Sequence, residues 1–459
     1  MACATARWRG TANPLQDGEH VPLASQRSLR PPESSGIQAR AVAGKVRMSQ
    51  PVRTPQQPPA AQGVLSLART AIPYVTLATL GLSVGFRGVA WPSIRATFSL
   101  PLDAVGAWLI TATAGSILSS FSAGYVASLI GVGPLLAIST CGVALGLLAY
   151  SLTPTWWLMV LTGLLSGLGS GAAHVGLNAH FAAHLGARAL NWLHACFGLG
   201  ATLGPLMMTS ILGAGLSWRW GYGAAGVWMM VLAAAFALTL NRWSGSTEAA
   251  RVDPAHQSGA RSTLETLQLP VVWLSLLVFL AYTGVESTAG QWSYSLFTDA
   301  RSVPEAVAGV WMTLYWGGLA GSRLLLGPLA DRVGITSLLR VCMLGVTLGA
   351  GLLWWHTTDL LSFVGLALMG FAQGPIFPSL VSVTPQRVSI GHVDNVIGFQ
   401  VAAASLGAAA LSSAAGVLAS WLTLEVVAPF MVAWAAAMVV FHELTLRRAQ
   451  RTSPNRRTD

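Results

Sequence analysis

Apolar residues run through this chain in stretches too long for a buried strand, and short breaks of glycine, proline or charge separate them. Bounded in that way, twelve runs predict helices near 70–92, 104–127, 133–152, 156–181, 189–213, 219–240, 269–297, 305–327, 335–355, 359–383, 394–419 and 424–446. Since about 20 apolar residues cover the hydrocarbon core of a bilayer, the pattern predicts an all-α integral membrane protein with twelve transmembrane helices. One long polar connection, 241–268, falls between the sixth and seventh runs. It divides the chain into an N-terminal six-helix bundle over 68–240 and a C-terminal one over 269–446. Residues 1–67, rich in Pro, Gln, Ser and Arg and without the apolar core of a secretory signal, predict a disordered basic tail, and 447–459 a second one.

Compared with itself, the chain repeats. Gly124 and Gly131 recur as Gly327 and Gly334, Gly167 and Gly171 as Gly370 and Gly374, and Gly204 as Gly407, all at an offset of 203 residues (327 − 124). Five glycines at one offset, each at an equivalent place in its half, predict a duplicated, pseudo-symmetric bundle.

Composition agrees with the pattern: 53% of residues are hydrophobic and 9% charged, and the mean hydropathy is +0.59, which excludes an ordinary soluble domain. Charge adds orientation. The excess of +10 is concentrated in the tails, and Arg188, Arg242, Arg251, Arg261, Arg332 and Arg387 fall in loops on the side of those tails, against Arg95, Arg219 and Arg301 on the other. Basic loops face the cytoplasm, so both termini are expected there, in a multi-pass protein of the cytoplasmic (inner) membrane. The basic tails match an anionic lipid surface, not nucleic acid. Cys141, Cys196 and Cys342 lie in apolar runs and Cys3 in the tail, which indicates no disulfide framework.

Several stretches carry a family resemblance. "GPLADRVG", after the eighth run, resembles the loop signature of the major facilitator superfamily, while "GVAWPSIRATFSLPLDAVG", "GSGAAHVGLNAHF", "LNWLHACFGLGATLGP", "YTGVESTAGQW" and "GFQVAAASLGAA" resemble its fucose:proton symporter branch. The resemblance spans residues 70 to 446. It implies a secondary transporter working by alternating access, its halves rocking about a midplane site lined by helices 1, 4, 7 and 10. Gly327, Asp331, Arg332 and Gly334 would form a gating loop on the cytoplasmic side; in the first half Ser128 and Leu129 replace its charged pair. The resemblance also implies an acid where His174 stands and an acid or Asn near Val84. Both are missing, so a histidine would have to take over any proton work, with a titration range that suits it.

The remaining information is polar residues at membrane depth, where an ionisable group costs about 2.5–3.5 kcal/mol and usually faces a cavity or a partner. Glu286 is the carboxylate set deepest in a span. Arg87 lies at a matching depth in the first helix, so the two are expected to pair as a strut when the outer side closes; the alternative is that Glu286 carries the proton. His174 with Asn178, and Asn191 with His194, share helical faces and predict a polar pocket. Gln373, Gln400 and Trp316, with Gln291, Asn395, Tyr315 and Trp292 beside them, are candidates for hydroxyl binding and sugar stacking, although Trp292 suits an interfacial belt equally well. A small sugar-like solute, with protons as the candidate coupling ion, is the expected cargo of a monomer without cofactor or metal. Three readings compete. His180 and His184 have metal-chelating spacing but no carboxylate cluster, "GATLGP" at 200–205 has the core of a drug-antiporter signature, and a sensor that binds without transporting would share these features.

Overall fold

The structure, a computed structural model, describes residues 59–240, Trp243 and 262–452, with side chains from 71 onward except at 186–188, 327–331 and 451–452. Among these every regular element is helical. Twelve long helices follow one another: α1 Pro59–Phe98, α2 Val105–Ile130, α3 Val132–Leu152, α4 Trp156–His184, α5 Gly186–Gly213, α6 Arg219–Leu238, α7 Pro270–Ser295, α8 Glu305–Val333, α9 Ile335–Trp354, α10 Asp359–Gln373, α11 Val393–Trp421 and α12 Val427–Thr452. Eleven of them give spans long and apolar enough to cross a membrane, α10 only when it is taken together with the segment that follows it, as Asp359–Ser382. The exception is α8, which carries Tyr315, Trp316 and Arg323 and packs among α5, α7, α9 and α10. Its polarity is covered by protein instead of lipid.

Three boundaries differ from expectation. The helix of α1 starts at Pro59, inside the stretch expected to be disordered, because proline suits the first turn of a helix and the Ala-rich residues after it favour one. Of the expected linker, 241–242 and 244–261 lie outside the described residues, yet Thr263–Leu267 form a helical turn that Ser262 caps by accepting from the Glu265 amide at 3.1 Å. The tenth run is not continuous. After α10 the chain breaks at Gly374–Pro375 and resumes as Ile376–Ser382, because Pro375 and Pro378 have no N–H to give to the preceding turn.

The two halves repeat each other in contact as well as in sequence. Within the first, α1 packs on α5, α2 on α4 and α3 on α6; within the second, α7 packs on α11, α8 on α10 and α9 on α12. The paired glycines sit at equivalent contacts. A Cβ at Gly167 or Gly171 would overlap the carbonyl of Ala112 or Ser116, and one at Gly370 or Gly374 the carbonyl of Tyr315 or Leu319, so the separation is 55 residues in every case (167 − 112, 370 − 315). Gly131 and Gly334 both reverse the chain at positive φ, +87° and +81°, a region open mainly to glycine. Between halves, α2 meets α11, α5 meets α8 and α1 meets α7. At the far ends of the helices, opposite the start of α1 and the end of α12, one guanidinium stiffens the second half: Arg301 donates to Glu425 at 2.8 and 2.6 Å, to Ser362 Oγ at 2.9 Å and to the Leu353 carbonyl at 3.1 Å.

Replacing Gly167 or Gly370 with valine should therefore lower the melting temperature of the detergent-solubilised protein to a similar extent in both halves, at about 1–3 kcal/mol each as for other overpacked sites. Gly124→Ala, where nothing lies within 4 Å of the added carbon, should leave it unchanged or raise it.

Candidate functional site

Where the two halves meet, a cavity of about 270 Å³ is lined by Ser83 and Arg87 of α1, Thr113 and Ser116 of α2, Ser166, Ser170 and His174 of α4, Tyr150, Tyr222, Phe197, Ser287 of α7 and Ser405 of α11. A pocket of about 60 Å³ continues it past Val84, Arg87, Thr113 and Ser287 to Gly290, Gln291, Trp316 and Ser412. Helical spacing delivers this wall. Ser166, Ser170 and His174 stand four apart on α4, as Ser83 and Arg87 do on α1, so each set forms one stripe. The hydroxyls of Ser83 and Ser170 donate to their own helices, at 2.8 Å to Leu80 and 3.1 Å to Gly167. Their oxygen lone pairs remain as acceptors for whatever enters.

Arg87 is half-buried in this wall and, among the described residues, makes no ion pair or hydrogen bond. The ionisable groups within its field are the phenols of Tyr150 and Tyr222. Those two rings lie 5.6 Å apart in an edge contact, and Trp108 packs on Tyr150 at 5.3 Å. Two further donors near Arg87 have no partner, Trp316 Nε1 and Gln291 Nε2.

Glu286 is not Arg87's partner. It points to its own half, where Tyr282, one turn back on α7, donates to it, and where Arg323 of α8 acts on it electrostatically without an ion pair. The Tyr315 hydroxyl lies between Gln373 Oε1 at 2.7 Å and the Glu286 carbonyl at 2.9 Å. The break in α10 explains why these groups gather. Pro378 has no N–H for the carbonyl of Gly374, so Arg323 Nε donates to it at 3.0 Å instead, and the Tyr282 hydroxyl lies 3.1 Å from the carbonyl of Gln373. Arg87 belongs to the cavity and Glu286 to a polar knot behind it, which is why matching depth did not make them a pair.

The α1–α7 ion pair that does form lies farther out. Arg95 donates to Asp299 at 3.2 Å, joining the end of α1 to the π-helical turn Leu296–Ala300 that ends α7. Beneath it, α1 and α7 touch so closely that a Cβ on Gly88 would overlap the Gly290 carbonyl, and Gly106 of α2 lies against Ser413 of α11. These contacts close the far end of the cavity.

The other candidates separate into cavity and core. His174 lies in the wall with its ring edge-on to Phe197 at 5.5 Å, and Asn178, one turn on, keeps a buried Oδ1 without a partner. Asn191 and His194 are exposed on α5 and line neither cavity, although His194 is near enough to His174 to act on it electrostatically. Gln400 is buried between α7 and α11, donating to Ser275 at 2.6 Å, and the Asn395 amide donates to Thr266 at 3.3 Å. Trp292 donates to the Ser412 carbonyl at 2.8 Å. These three tie helices together within the second half. Gly327 and Asp331 lie outside the residues whose side chains are described; Arg332 is exposed and Gly334 makes the turn into α9. In "GATLGP", Gly200 and Gly204 press against the carbonyls of Ala78 and Leu82, a helix-packing use. Tyr282, Arg323, Tyr150 and Tyr222 were absent from the sequence expectation. Only Tyr282 carried a local signal, its spacing of four from Glu286.

The family model of the Major Facilitator Superfamily matches residues 74–299 and again 274–459. The human "Sodium-dependent glucose transporter 1" is 23% identical over 375 residues, 74% of this chain and 71% of that protein. "Bypass of stop codon protein 6" of Saccharomyces cerevisiae is 28% identical over 171 residues, 34% of this chain and 33% of its own. A solved nucleoside transporter, NupG in a mutant form, superposes with a TM-score of 0.70 at 12% identity, covering 83% of this chain and 99% of its own. A mutant peptide transporter, POT, solved with sulfate, gives 0.65 at 12% identity over 83% of this chain and 94% of its own.

If the Arg95–Asp299 pair helps to hold the far end shut, breaking it should open the cavity from that side. In protein lacking its own cysteines, a Ser287→Cys reporter should react with a membrane-impermeant thiol reagent applied at the far face faster when Arg95→Ala is added. The expected factor is roughly 1.4 to 5, the range for an exposed ion pair of about 0.2–1 kcal/mol, and the exchange Arg95→Asp with Asp299→Arg should restore the slow rate.

Proposed function

The chain belongs to the Major Facilitator Superfamily, and on that premise we propose that this transporter moves a small, hydroxyl-bearing, sugar-like solute by rocking its two six-helix halves about the Arg87 cavity. As a member of that family it is a multi-pass membrane transporter of small molecules and not an enzyme. The observation that carries the finer reading is the cavity itself: serine, threonine and tyrosine hydroxyls of the first half face Ser287 and Ser405 of the second, offering acceptors and donors suited to hydroxyl groups. The names of a glucose transporter and a nucleoside transporter among the similar proteins support it, since both cargoes are polyhydroxylated.

In this reading the structure is the state closed at the far face. Arg95 with Asp299 and the α1–α7 and α2–α11 contacts seal that side, and access comes from the face where α1 begins and α12 ends. The basic residues of the loops and tails support reading that face as the cytoplasmic one. Protons are the proposed coupling ion and Glu286 the proposed carrier, because this half-buried carboxyl has a hydroxyl donor in Tyr282 but no ion pair to fix its charge. The α10 break joins the same knot, which gives a change of charge at Glu286 a flexible element to act on.

Purified protein in vesicles should accumulate a labelled sugar or sugar derivative against its gradient when an inward proton gradient is imposed, with choline replacing sodium. Glu286→Gln should abolish accumulation driven by the proton gradient, while counterflow exchange survives within a few-fold. Accumulation that needs sodium and ignores the pH gradient would overturn the proton reading; absence of any uptake or exchange across a sugar panel would overturn the solute reading.

A further inference from the structure

The closed end of the cavity is unusual in the sign of its polar groups. Arg87 presents a guanidinium with no partner, and Trp316 Nε1, which can only donate, and Gln291 Nε2 are also unpaired, in residues with relative exposures of 7% and 5%. All three side chains line one pocket of about 60 Å³ with Ser287 and Thr113. No carboxylate lines it or its extension, and Glu286 is engaged by Tyr282 behind the wall. Buried donors left unpaired, beside a half-buried cation without a counter-charge, cost free energy unless something arrives to accept from them.

From this we propose that the transported solute is an acid: a carboxylate on a polyhydroxylated body, its two oxygens taken by Arg87 with help from Trp316 and Gln291, and its hydroxyls lying in the larger serine-lined chamber. The inference rests on the cavity being the transport site and narrows what that site takes. Charge and volume select the head group. One guanidinium balances one negative charge and matches a carboxylate in a two-bond fork, whereas a phosphate monoester would bring up to a second charge that nothing on the wall neutralises. A volume of about 60 Å³ holds roughly four to six waters at 10–15 Å³ each, which suits a head group of a few heavy atoms. The neighbouring 270 Å³ takes the remaining body.

Matched pairs of neutral and acidic ligands test this. Thermal shift and vesicle counterflow are measured with glucose against gluconate and galactose against galacturonate, on the full-length protein and on Arg87→Gln, Arg87→Lys and Trp316→Phe. The acids should bind and exchange at least tenfold better than their neutral partners. Arg87→Gln should erase that preference, lowering the ratio of acid to neutral binding by a factor of about 10 to 150, as expected for a charged hydrogen bond of about 1.5–3 kcal/mol. Arg87→Lys should fall between, and Trp316→Phe, which removes only the indole N–H side, should cost the acids a few-fold. Equal affinity for acid and neutral ligands in the unmodified protein, or an acid preference that survives Arg87→Gln, would overturn the acid inference and leave the sugar-like reading standing. If neither class binds or exchanges, the transport reading fails with it. Should Arg87→Gln not fold, the unmodified protein's preference and the Trp316→Phe loss decide the question.

Discussion

Backbone contact between helices, made at glycines where no Cβ would fit, is the constraint on which the rest of this molecule depends. In lipid, apolar side chains gain little by moving from bilayer to protein, so close approach and van der Waals contact have to hold helices together. Gly167 and Gly171 bring α4 onto α2, and Gly370 and Gly374 bring α10 onto α8 at the same separation. That duplication makes two similar bodies, each with its own internal packing. Between them the tight contacts of α1 with α7 and α2 with α11 lie toward one face, so the surface where the bodies meet is also the surface that must be able to part. The cavity occupies it.

Against this packing, partnered and unpartnered polar groups tell structure from site. Gln400, Asn395 and Trp292 find acceptors inside the second half and fasten helices to one another. Arg301 does the same for the far rim with four hydrogen bonds. Gln291 Nε2, Trp316 Nε1 and Asn178 Oδ1 are buried without a partner, and the first two meet the half-buried Arg87, which makes no ion pair or hydrogen bond among the described residues, at one pocket. A buried polar group that the fold does not satisfy asks for a ligand, a water or a second conformation. In a molecule whose halves rock, ligand and second conformation are linked.

Much of this was legible in the sequence because it is periodic or cumulative. Twelve apolar runs, the 203-residue offset of the glycines and the basic bias of the tails each sum over many residues, and helix count and duplication follow from them. Pairings across helices are not periodic. Arg87 and Glu286 lie at similar depth, but rotation about each helix axis decides which residue each faces. Tyr282 and Arg323, brought to Glu286 by the α10 break, settle that question for Glu286. The same limit hid the ion pair at the rim: Asp299 sits on a π-helical turn beyond the regular end of α7, and that local change in winding is not written in hydropathy. His194 and Asn191 share a helical face as expected, but both are exposed on α5 and neither is among the residues that line the two cavities.

The account depends most on two rigid bodies that close one face as they open the other. Spin labels report this directly, one pair at the far ends of α4 and α10 (Trp157→Cys with Leu360→Cys) and one on the opposite side, at the end of α4 and in the turn Thr384–Gln386 beyond the α10 break (Ala183→Cys with Gln386→Cys), all exposed positions at the repeat offset of 203 (360 − 157, 386 − 183). Distance distributions measured in lipid with and without a transported ligand, or across pH, should show the two pairs moving in opposite senses, one lengthening as the other shortens. Two pairs that lengthen together, or distributions that never change under conditions of demonstrated transport, would contradict it.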